Sequence, residues 1–206
     1  MNLTVLGASG ATGLELTRQA LARGHDVTAV ARDPKRVAVP DSDRLIRVAA
    51  DVRDPDSVAR AVRDGTTVLS GLGNVDGSPP GVLIAGARAL VRARPERIVW
   101  LGGFGTGVTA AAVGPLTRTL LKVVLKGDLE DKVAADTEVL AAGGTVFHAG
   151  PLTDGPLSDD RRALDVADVP RRLFPARVSR ATVAAAMLDE AESGSHPGAT
   201  VVPLDR

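Results

Sequence analysis

A glycine-spaced turn near the N-terminus constrains the fold more than any other feature of the chain. The turn, Gly7-Ala8-Ser9-Gly10-Ala11-Thr12-Gly13, follows an apolar run at Asn2–Leu6 and leads into a helix-like segment, Thr12–Arg23. In this spacing one glycine allows the tight turn, one lets backbone approach a ligand, and one lets the helix pack close to the strand. Because backbone N–H groups and the helix dipole favour an anion there, the turn predicts a phosphate or pyrophosphate site. The alternative is a tight strand–helix turn that binds nothing.

Strand-like and helix-like segments alternate along the rest of the chain. Further strands are predicted at Asp26–Val30, Leu45–Ala49, Thr66–Ser70, Arg97–Leu101, Thr145–His148 and Ala199–Leu204. Further helices are predicted from Pro55 with Asp54 as N-cap, at about Gly81–Arg92, over Leu116–Ala142 with a break at Gly127 and a new cap at Asp128, and over Val178–Glu192 with a cap near Ser179. This alternation predicts one α/β domain over residues 1–206, a doubly wound parallel sheet with helices on both faces.

Two segments are predicted to leave the core. Residues 104–115 and 154–177 both follow carboxyl ends of strands, where ligands bind in open α/β sheets. We expect them to flank a substrate pocket, and the alternative for the second is a plain surface loop. In the helix between them, helical spacing of Leu129, Val133, Thr137 and Leu140 predicts the buried face.

Composition excludes several classes of protein. Cysteine is absent, which excludes disulfides, thiolate catalysis and cysteine-ligated metals. The 25 basic and 25 acidic residues cancel, so no basic footprint of a nucleic-acid binder exists. The chain has no apolar run of membrane-spanning length, and Met1 leads directly into a strand, which predicts a cytoplasmic protein without membrane contact. His25, His148 and His196 are scattered without ligand spacing, so no metal site is predicted. Oligomeric state stays open between monomer and dimer.

The end of the second predicted strand selects the cofactor. In such folds an acidic residue there binds the ribose 2′-hydroxyl of NAD, whereas an arginine accommodates the 2′-phosphate of NADP. Here the strand runs into Arg32, with Lys35 and Arg36 just beyond, and a guanidinium can bind a phosphate with two parallel hydrogen bonds. We interpret Asp33 as the N-cap of the turn at Pro34. The sequence thus favours NADP(H), with NAD(H) possible and a solvated basic loop as the alternative.

Three further strand ends are predicted to meet the cofactor. Asp51-Val52 could accept from the adenine amino group and pack on the ring, while Asp51 could also simply cap a turn. Gly71-Leu72-Gly73 would let backbone approach the middle of the cofactor, and Gly102-Gly103 would do the same near the nicotinamide.

Together these residues resemble the atypical short-chain dehydrogenase/reductase group with an NAD(P)H-binding Rossmann domain, which includes biliverdin reductase B-like and NmrA-like proteins. The matching parts are Gly7–Gly13, Ala31–Pro34, Asp51-Val52, the helix with Lys132 and Glu138, Leu152–Pro156 and Val178–Ala184. The resemblance implies a sheet of about seven parallel strands and an adenine contact at Asp51-Val52. It implies phosphate contacts from Ser9, Gly10, Ala11, Thr12 and Gly13. Gly150, Pro151 and Leu152, directly after the Thr145–His148 strand, complete the predicted cofactor contacts.

The chain departs from that group where the chemistry takes place. Many short-chain dehydrogenases use a Tyr-x-x-x-Lys pair, but this chain has no tyrosine. Members of the subgroup often place Ser or Thr after the fifth strand, where this chain has Gly102 and Gly103. Many carry Arg-Pro-Gly after the sixth strand, where this chain has His148-Ala149-Gly150. The cofactor site is therefore retained, while the proton donor is open.

Two residues are candidates for moving a proton. His148 follows a strand to the ligand edge and could titrate near neutrality, or it could be a histidine hydrogen-bonded within the sheet's rim. Lys132 could contact the nicotinamide ribose or substrate, or it could be a solvated lysine paired with Asp136 at i+4. Thr106 and Thr109 could also present hydroxyl groups.

The sequence therefore supports two functions of different classes. The first is an NADPH-dependent oxidoreductase that transfers hydride to a small conjugated acceptor such as a flavin or quinone, because such an acceptor can take its proton from solvent. The second is a non-catalytic NADP(H) sensor. A nucleotide-sugar epimerase or dehydratase ranks last, since it normally needs the Tyr–Lys pair.

Overall fold

A central β-sheet organises the computed structural model, which describes residues 1–62, 65–73, 80–112, 128–170 and 175–205. The strands are β1 (Asn2–Leu6), β2 (Asp26–Ala31), β3 (Leu45–Ala49), β4 (Thr67–Ser70), β5 (Arg97–Gly103), β6 (Thr145–Ala149), β7 (Leu152–Thr153), β8 (Arg162–Asp165), β9 (Val178–Ser179) and β10 (Thr200–Leu204). The α-helices are α1 (Ala11–Ala22), α2 (Pro55–Ala61), α3 (Val82–Ala93), α4 (Asp128–Ala141) and α5 (Arg180–Ser193).

The sheet has the strand order of a dinucleotide-binding fold. Eight strands lie in the order β3-β2-β1-β4-β5-β6-β10-β8, and all are parallel except β8, which pairs antiparallel with β10. The order reverses between β1 and β4, and ligands of open α/β sheets bind at the carboxyl ends of the strands beside such a reversal. The predicted α/β class and parallel sheet are confirmed, with seven parallel strands and β8 as an addition.

Small apolar side chains fill the space between the sheet and its helices. On one face, α1 and α5 pack over residues such as Val5, Val99 and Phe147. On the other face, α2, α3 and α4 pack over residues such as Val68 and Trp100. Because the chain has so few aromatic residues, valine, leucine and alanine make up most of both layers.

Two predicted helix caps are present. The Asp54 carboxylate accepts from the N–H groups of Asp56 and Ser57 at the start of α2. The Ser179 hydroxyl accepts from the Thr182 N–H at 3.0 Å and begins α5. Each satisfies backbone donors that a helix start leaves without intrahelical partners.

For the excursion predicted at 154–177, the alternative of a plain surface loop is wrong, and a position beside a substrate pocket stays a prediction. The segment contains β8, which extends the sheet beyond β10, and a short 3-10 helix, Val166–Asp168. That 3-10 helix lies beside another at Gly107–Ala112 in the first excursion. Val178, predicted as helical, belongs to β9, which pairs with β7. The predicted helix over 116–127 and its break at Gly127 lie outside the described residues.

The predicted buried face of α4 is also wrong. Thr137 is exposed, and the other three residues of that stripe are only half-buried. The buried side chains are instead Asp131, Ala135, Asp136 and Val139. The helix is rotated because two of its carboxylates have buried partners, described below, which an apolar spacing rule does not detect.

Ion pairs join α1 to α5 away from the carboxyl edge of the sheet. Arg23 bonds both Asp189 and Glu192, at 2.9 and 3.1 Å. Partial burial raises the pKa of Asp189, but hydrogen bonds from Arg161 and Arg23 outweigh burial and hold that pKa below its ordinary value. Likewise, burial raises the pKa of Glu192, and hydrogen bonds from His25 and Arg23 lower that pKa by more than burial raises it.

No helix in the described part of the chain has the length and apolarity needed to cross a membrane.

Candidate functional site

The glycine turn packs α1 directly against β1. Gly7 has a φ of +74°, and the Ala8 N–H donates to the Val30 carbonyl of β2 at 3.0 Å, so the turn lies across two strand ends. A methyl group at Gly13 would overlap the Gly7 carbonyl oxygen and lie 2.8 Å from the Ala8 Cα. Gly13 therefore has the role predicted for the last glycine of the motif, close approach of helix to strand.

The first turn of α1 has no protein side chain to cap it within the described residues. Gly10 is the N-cap, it contributes no side chain, and no acidic residue occupies the first turn. The first backbone hydrogen bond of the helix runs from the Leu14 N–H to the Gly10 carbonyl at 2.8 Å. The preceding N–H groups and the positive end of the helix dipole suit a phosphate, so this end of the predicted site fits a dinucleotide.

The predicted run Gly71-Leu72-Gly73 lies next to that turn. A methyl group at Gly71 would lie 2.9 Å from the Gly13 nitrogen, so Gly71 is needed for packing against α1. Leu72 packs over Gly7 and into the core below. At Gly73 a methyl group would meet no described atom within 4 Å, which leaves its backbone open.

The basic end of β2 carries unpaired cations. Arg32, Lys35 and Arg36 are exposed, and none of them pairs with another residue in the described part of the chain. Asp33 caps the following 3-10 turn as predicted, since its Oδ1 accepts from the Lys35 N–H at 3.0 Å.

Asp51 and Val52 follow β3 at the same edge. The Asp51 carboxylate accepts from the Arg53 N–H at 2.9 Å, while the Ser57 hydroxyl bonds the Asp51 backbone. Asp51 therefore caps its own turn and stays exposed, which leaves the predicted adenine contact sterically open. Val52 is buried and faces α3, because a methyl at Gly86 would lie 3.6 Å from it.

A buried polar cluster occupies the other half of the edge. Gly102 of β5 pairs in register with His148 of β6. The His148 ring is 1% exposed, and its Nε2 lies 2.9 Å from Asp136 Oδ2 of α4. Its Nδ1 lies 2.8 Å from the Thr109 hydroxyl oxygen. Both ring nitrogens are engaged, so His148 has the geometry of the hydrogen-bonded alternative rather than of a group that touches substrate.

Of the two alternatives for Lys132, the pair with Asp136 is wrong, because Asp136 bonds His148 instead. Lys132 is half-buried, and a methyl group at Gly103 would lie 3.9 Å from its side chain. No described residue pairs with its ammonium group. The buried hydroxyl groups of Thr106 and Thr109 are both engaged: Thr106 bonds the Gly103 carbonyl of β5, and Thr109 contacts the Thr106 carbonyl and His148.

The residues after β6 that were predicted to contact the cofactor are packed closely against the segment that leads into β9. A methyl group at Gly150 would overlap the Ala176 carbonyl oxygen. The Pro151 carbonyl accepts from the Val178 N–H at 3.2 Å, and Leu152 is half-buried in β7. These residues join the end of β6 to β9, and their contacts with a cofactor stay predictions.

Two acidic residues that organise this edge were missed by sequence reasoning. Asp131 is buried and accepts from the N–H groups of Leu83 and Ile84, at 3.1 and 2.9 Å. It therefore caps α3, whose own N-cap, Gly81, supplies no side chain. The second residue is Asp136, which bonds His148. In the sequence, both aspartates interrupt the apolar spacing of α4, but that pattern is equally typical of a solvent-exposed helix face.

Comparison with known proteins identifies a family, a sequence relative and solved structures of the same fold. A family model described as NAD(P)H-binding matches residues 7–193. Uncharacterized protein YwnB of Bacillus subtilis (strain 168) is 29% identical over 118 residues, 52% of this chain and 49% of that protein, so the match spans about half of that relative. The solved structure of ChuY, an anaerobillin reductase from Escherichia coli O157:H7, is 17% identical, with a TM-score of 0.77 over 100% of this chain and 97% of that one. A short-chain dehydrogenase/reductase from Veillonella parvula DSM 2008 in complex with NADP is 17% identical, with a TM-score of 0.77 over 98% of this chain and 93% of that one. The two structures share this fold.

Proposed function

Since this chain belongs to the family described as NAD(P)H-binding, we propose that it is an NADPH-dependent oxidoreductase of the atypical short-chain dehydrogenase/reductase group, acting on a small conjugated acceptor such as a flavin or quinone. When bound, the dinucleotide supplies the hydride, and the protein binds, orients and encloses the reactants.

The uncapped first turn of α1 carries this proposal. A helix start beside β1 without a side-chain cap leaves donors that a pyrophosphate would satisfy. The glycines at positions 7 and 13 hold that helix start against the strand ends, where a side chain would clash with backbone. A turn that only connected strand to helix would gain stability from an ordinary Ser, Thr or Asp cap, which Gly10 does not provide.

The preference for NADPH over NADH rests on charge at the end of β2. Arg32 and Arg36 have no described partner, so their guanidinium groups are free to bind a 2′-phosphate. Asp33, the acidic residue nearby, already accepts from the Lys35 N–H and is directed at its own turn. We therefore do not expect Asp33 to bind the ribose 2′-hydroxyl as the acidic residue of an NAD site would.

The choice of acceptor rests on the scarcity of proton donors. The chain has no tyrosine, and His148, Thr106 and Thr109 are buried and engaged in hydrogen bonds. Reduction of an isolated carbonyl needs a positioned acid, whereas a flavin or quinone can take its proton from water. Lys132, half-buried beside Gly103 and without a described partner, is the residue we propose to contact the nicotinamide ribose or the substrate.

An acceptor panel tests the proposal. NADPH oxidation is followed by absorbance with flavins, quinones, aldehydes and ketones as separate acceptors, using the wild-type protein and Lys132→Ala. We expect turnover with flavins or quinones and little with simple carbonyls. Tight NADPH binding without oxidation by any acceptor would contradict the enzyme and leave the nucleotide sensor.

The sensor remains a second candidate because of the missing tyrosine and the buried histidine. It predicts a partner whose binding changes between NADP⁺ and NADPH. Partner capture from extracts with each nucleotide in excess tests this. Equal capture in both states would refute redox sensing.

A further inference from the structure

The His148–Asp136 pair and Thr109 form a closed set of hydrogen bonds under the carboxyl edge. Asp136 contributes from α4, His148 from the end of β6, and Thr109 from the turn that follows β5. The Thr109 hydroxyl oxygen also lies 2.8 Å from the Gly105 nitrogen and 2.9 Å from the Thr106 carbonyl oxygen. All three side chains are buried, so water is excluded from competing for these contacts.

The number of hydrogens in this set is fixed by its geometry. A threonine hydroxyl has one hydrogen to donate and two lone pairs that accept. The Gly105 N–H can only donate and the Thr106 carbonyl can only accept, so the hydroxyl hydrogen of Thr109 belongs to Thr106. The contact at 2.8 Å between Thr109 and His148 Nδ1 then needs a proton on Nδ1.

The contact on the other side of the ring needs a second proton. His148 Nε2 and Asp136 Oδ2 are 2.9 Å apart. At that distance an unprotonated ring nitrogen and an ionised carboxylate oxygen would repel each other, because both carry lone pairs and neither carries a hydrogen. Asp136 Oδ1 has no hydrogen-bond partner among the described residues, so a net negative charge on the pair would be poorly compensated. Burying an uncompensated charge costs more than burying a hydrogen-bonded pair whose charges sum to zero.

We propose that His148 and Asp136 hold two protons as one neutral unit, with one proton fixed on Nδ1, and that this unit positions the Phe104–Thr109 turn over the site. The Nδ1–H of His148 donates to the Thr109 hydroxyl oxygen, which also accepts from the Gly105 N–H. At the other end of the turn, the Phe104 N–H donates to the Ala149 carbonyl at 2.8 Å. His148 and Asp136 are then positioning residues rather than catalytic ones. The benefit to catalysis rests on the proposed function, but the protonation and the anchoring do not.

Gly102 is required by the same unit. A methyl group at Gly102 would lie 2.9 Å from both Asp136 Oδ1 and His148 Cδ2, closer than side-chain carbons pack. The absence of a side chain at Gly102 thus makes room for the His148–Asp136 pair.

The test uses nitrogen NMR of the histidine rings in nucleotide-free protein at neutral pH. His25→Gln and His196→Gln assign the His148 signals by elimination. We expect Nδ1 of His148 to appear protonated in the wild type, and still protonated in Asp136→Asn, where the amide can donate to Nε2. A His148 ring protonated on Nε2 alone would overturn the proposal.

Hydrogen exchange of the Gly105 amide tests the anchoring independently. Thr109→Val removes the hydroxyl and should speed exchange at Gly105 about tenfold or more, while Thr109→Ser should restore protection. Thr137→Val is the matched control, since Thr137 also bonds a backbone carbonyl but on the exposed face of α4. Unchanged Gly105 exchange in a folded Thr109→Val protein would contradict the anchoring. Both readouts are made without nucleotide, so their failure is distinct from failure of the proposed activity.

Discussion

Substitutions at two glycines of the turn, Gly13 and Gly10, should distinguish the role of the turn in folding from its role in nucleotide binding. At Gly13, a methyl group would overlap the Gly7 carbonyl oxygen and lie 2.8 Å from Ala8 Cα, and both obstacles are backbone. Relief requires moving α1 away from β1, so Gly13→Ala should destabilise the fold by about 3 kcal/mol, at the upper end of overpacking penalties. At Gly10 the nearest atom is 3.4 Å away, and its φ of −80° is ordinary for alanine. Gly10→Ala should therefore change stability by less than about 1 kcal/mol, because a weaker N-cap and lower unfolded-state entropy offset each other.

The assay combines denaturant unfolding with nucleotide titration. Trp100 is the single tryptophan and is 1% exposed, so its fluorescence reports global unfolding. We expect Gly13→Ala to shift the unfolding midpoint strongly, and Gly10→Ala to fold normally while binding NADPH at least tenfold more weakly. The binding loss follows because the methyl group narrows the approach of a phosphate to the helix start. Equal stability of the two variants would refute the packing argument. Wild-type NADPH affinity in Gly10→Ala would refute the phosphate contact.

The remaining predictions concern buried and paired carboxylates. Asp131→Ala leaves two N–H groups at the start of α3 without their acceptor and should lower the free energy of unfolding by about 2–3 kcal/mol. Glu130→Ala, at the exposed neighbouring position, is the control and should lower it by less than about 0.5 kcal/mol. Denaturant unfolding measures both changes. An Asp131→Ala protein as stable as Glu130→Ala would show that the cap contributes nothing. Because the pKa values of Asp189 and Glu192 are lowered in the folded state, their stabilisation is complete above about pH 5 and is lost as the pH falls through those lowered values. Arg23→Gln should reduce this loss on acidification by up to about 1 kcal/mol per pair, since both carboxylates are partly exposed, and an unchanged acid profile would contradict the network.

The parts of the fold set by local sequence were predictable. Strand β1 agrees with its predicted bounds, and the caps at Asp54 and Ser179 are present, because each depends on residues only a few positions apart. The glycine turn is also local, and its packing at Gly13 has the predicted role. Strand β8 was missed because its pairing with β10 is made across about forty residues of chain and has no strong local pattern.

The candidate site was predicted less well where partners are distant in sequence. The positions of Arg32 directly after β2 and of the glycine turn before α1 were predictable, because local sequence patterns predict those strand and helix boundaries. The orientation of α4 was not, because the burial of Asp131 and Asp136 depends on N–H groups of α3 and on His148 of β6. Apolar spacing treats a buried carboxylate as a surface residue, so it predicted Thr137 to face inward. The Lys132–Asp136 pair, one of two alternatives for Lys132, came from the i,i+4 charge rule, which considers only neighbours on the same helix.

Calorimetric titration of nucleotide-free protein with NADPH and with NADH is the decisive measurement for the proposed cofactor site. We expect tight NADPH binding, weaker NADH binding, and a loss of about tenfold or more for NADPH alone in Arg32→Ala, because only NADPH carries the 2′-phosphate. Arg92→Ala, which removes an exposed arginine of α3 paired with Asp56, is the control and should bind as the wild type. Equal loss for both nucleotides in Arg32→Ala would contradict recognition of the 2′-phosphate. Absence of binding for either nucleotide would contradict the site itself and reduce the Gly7–Gly13 turn to a structural connection.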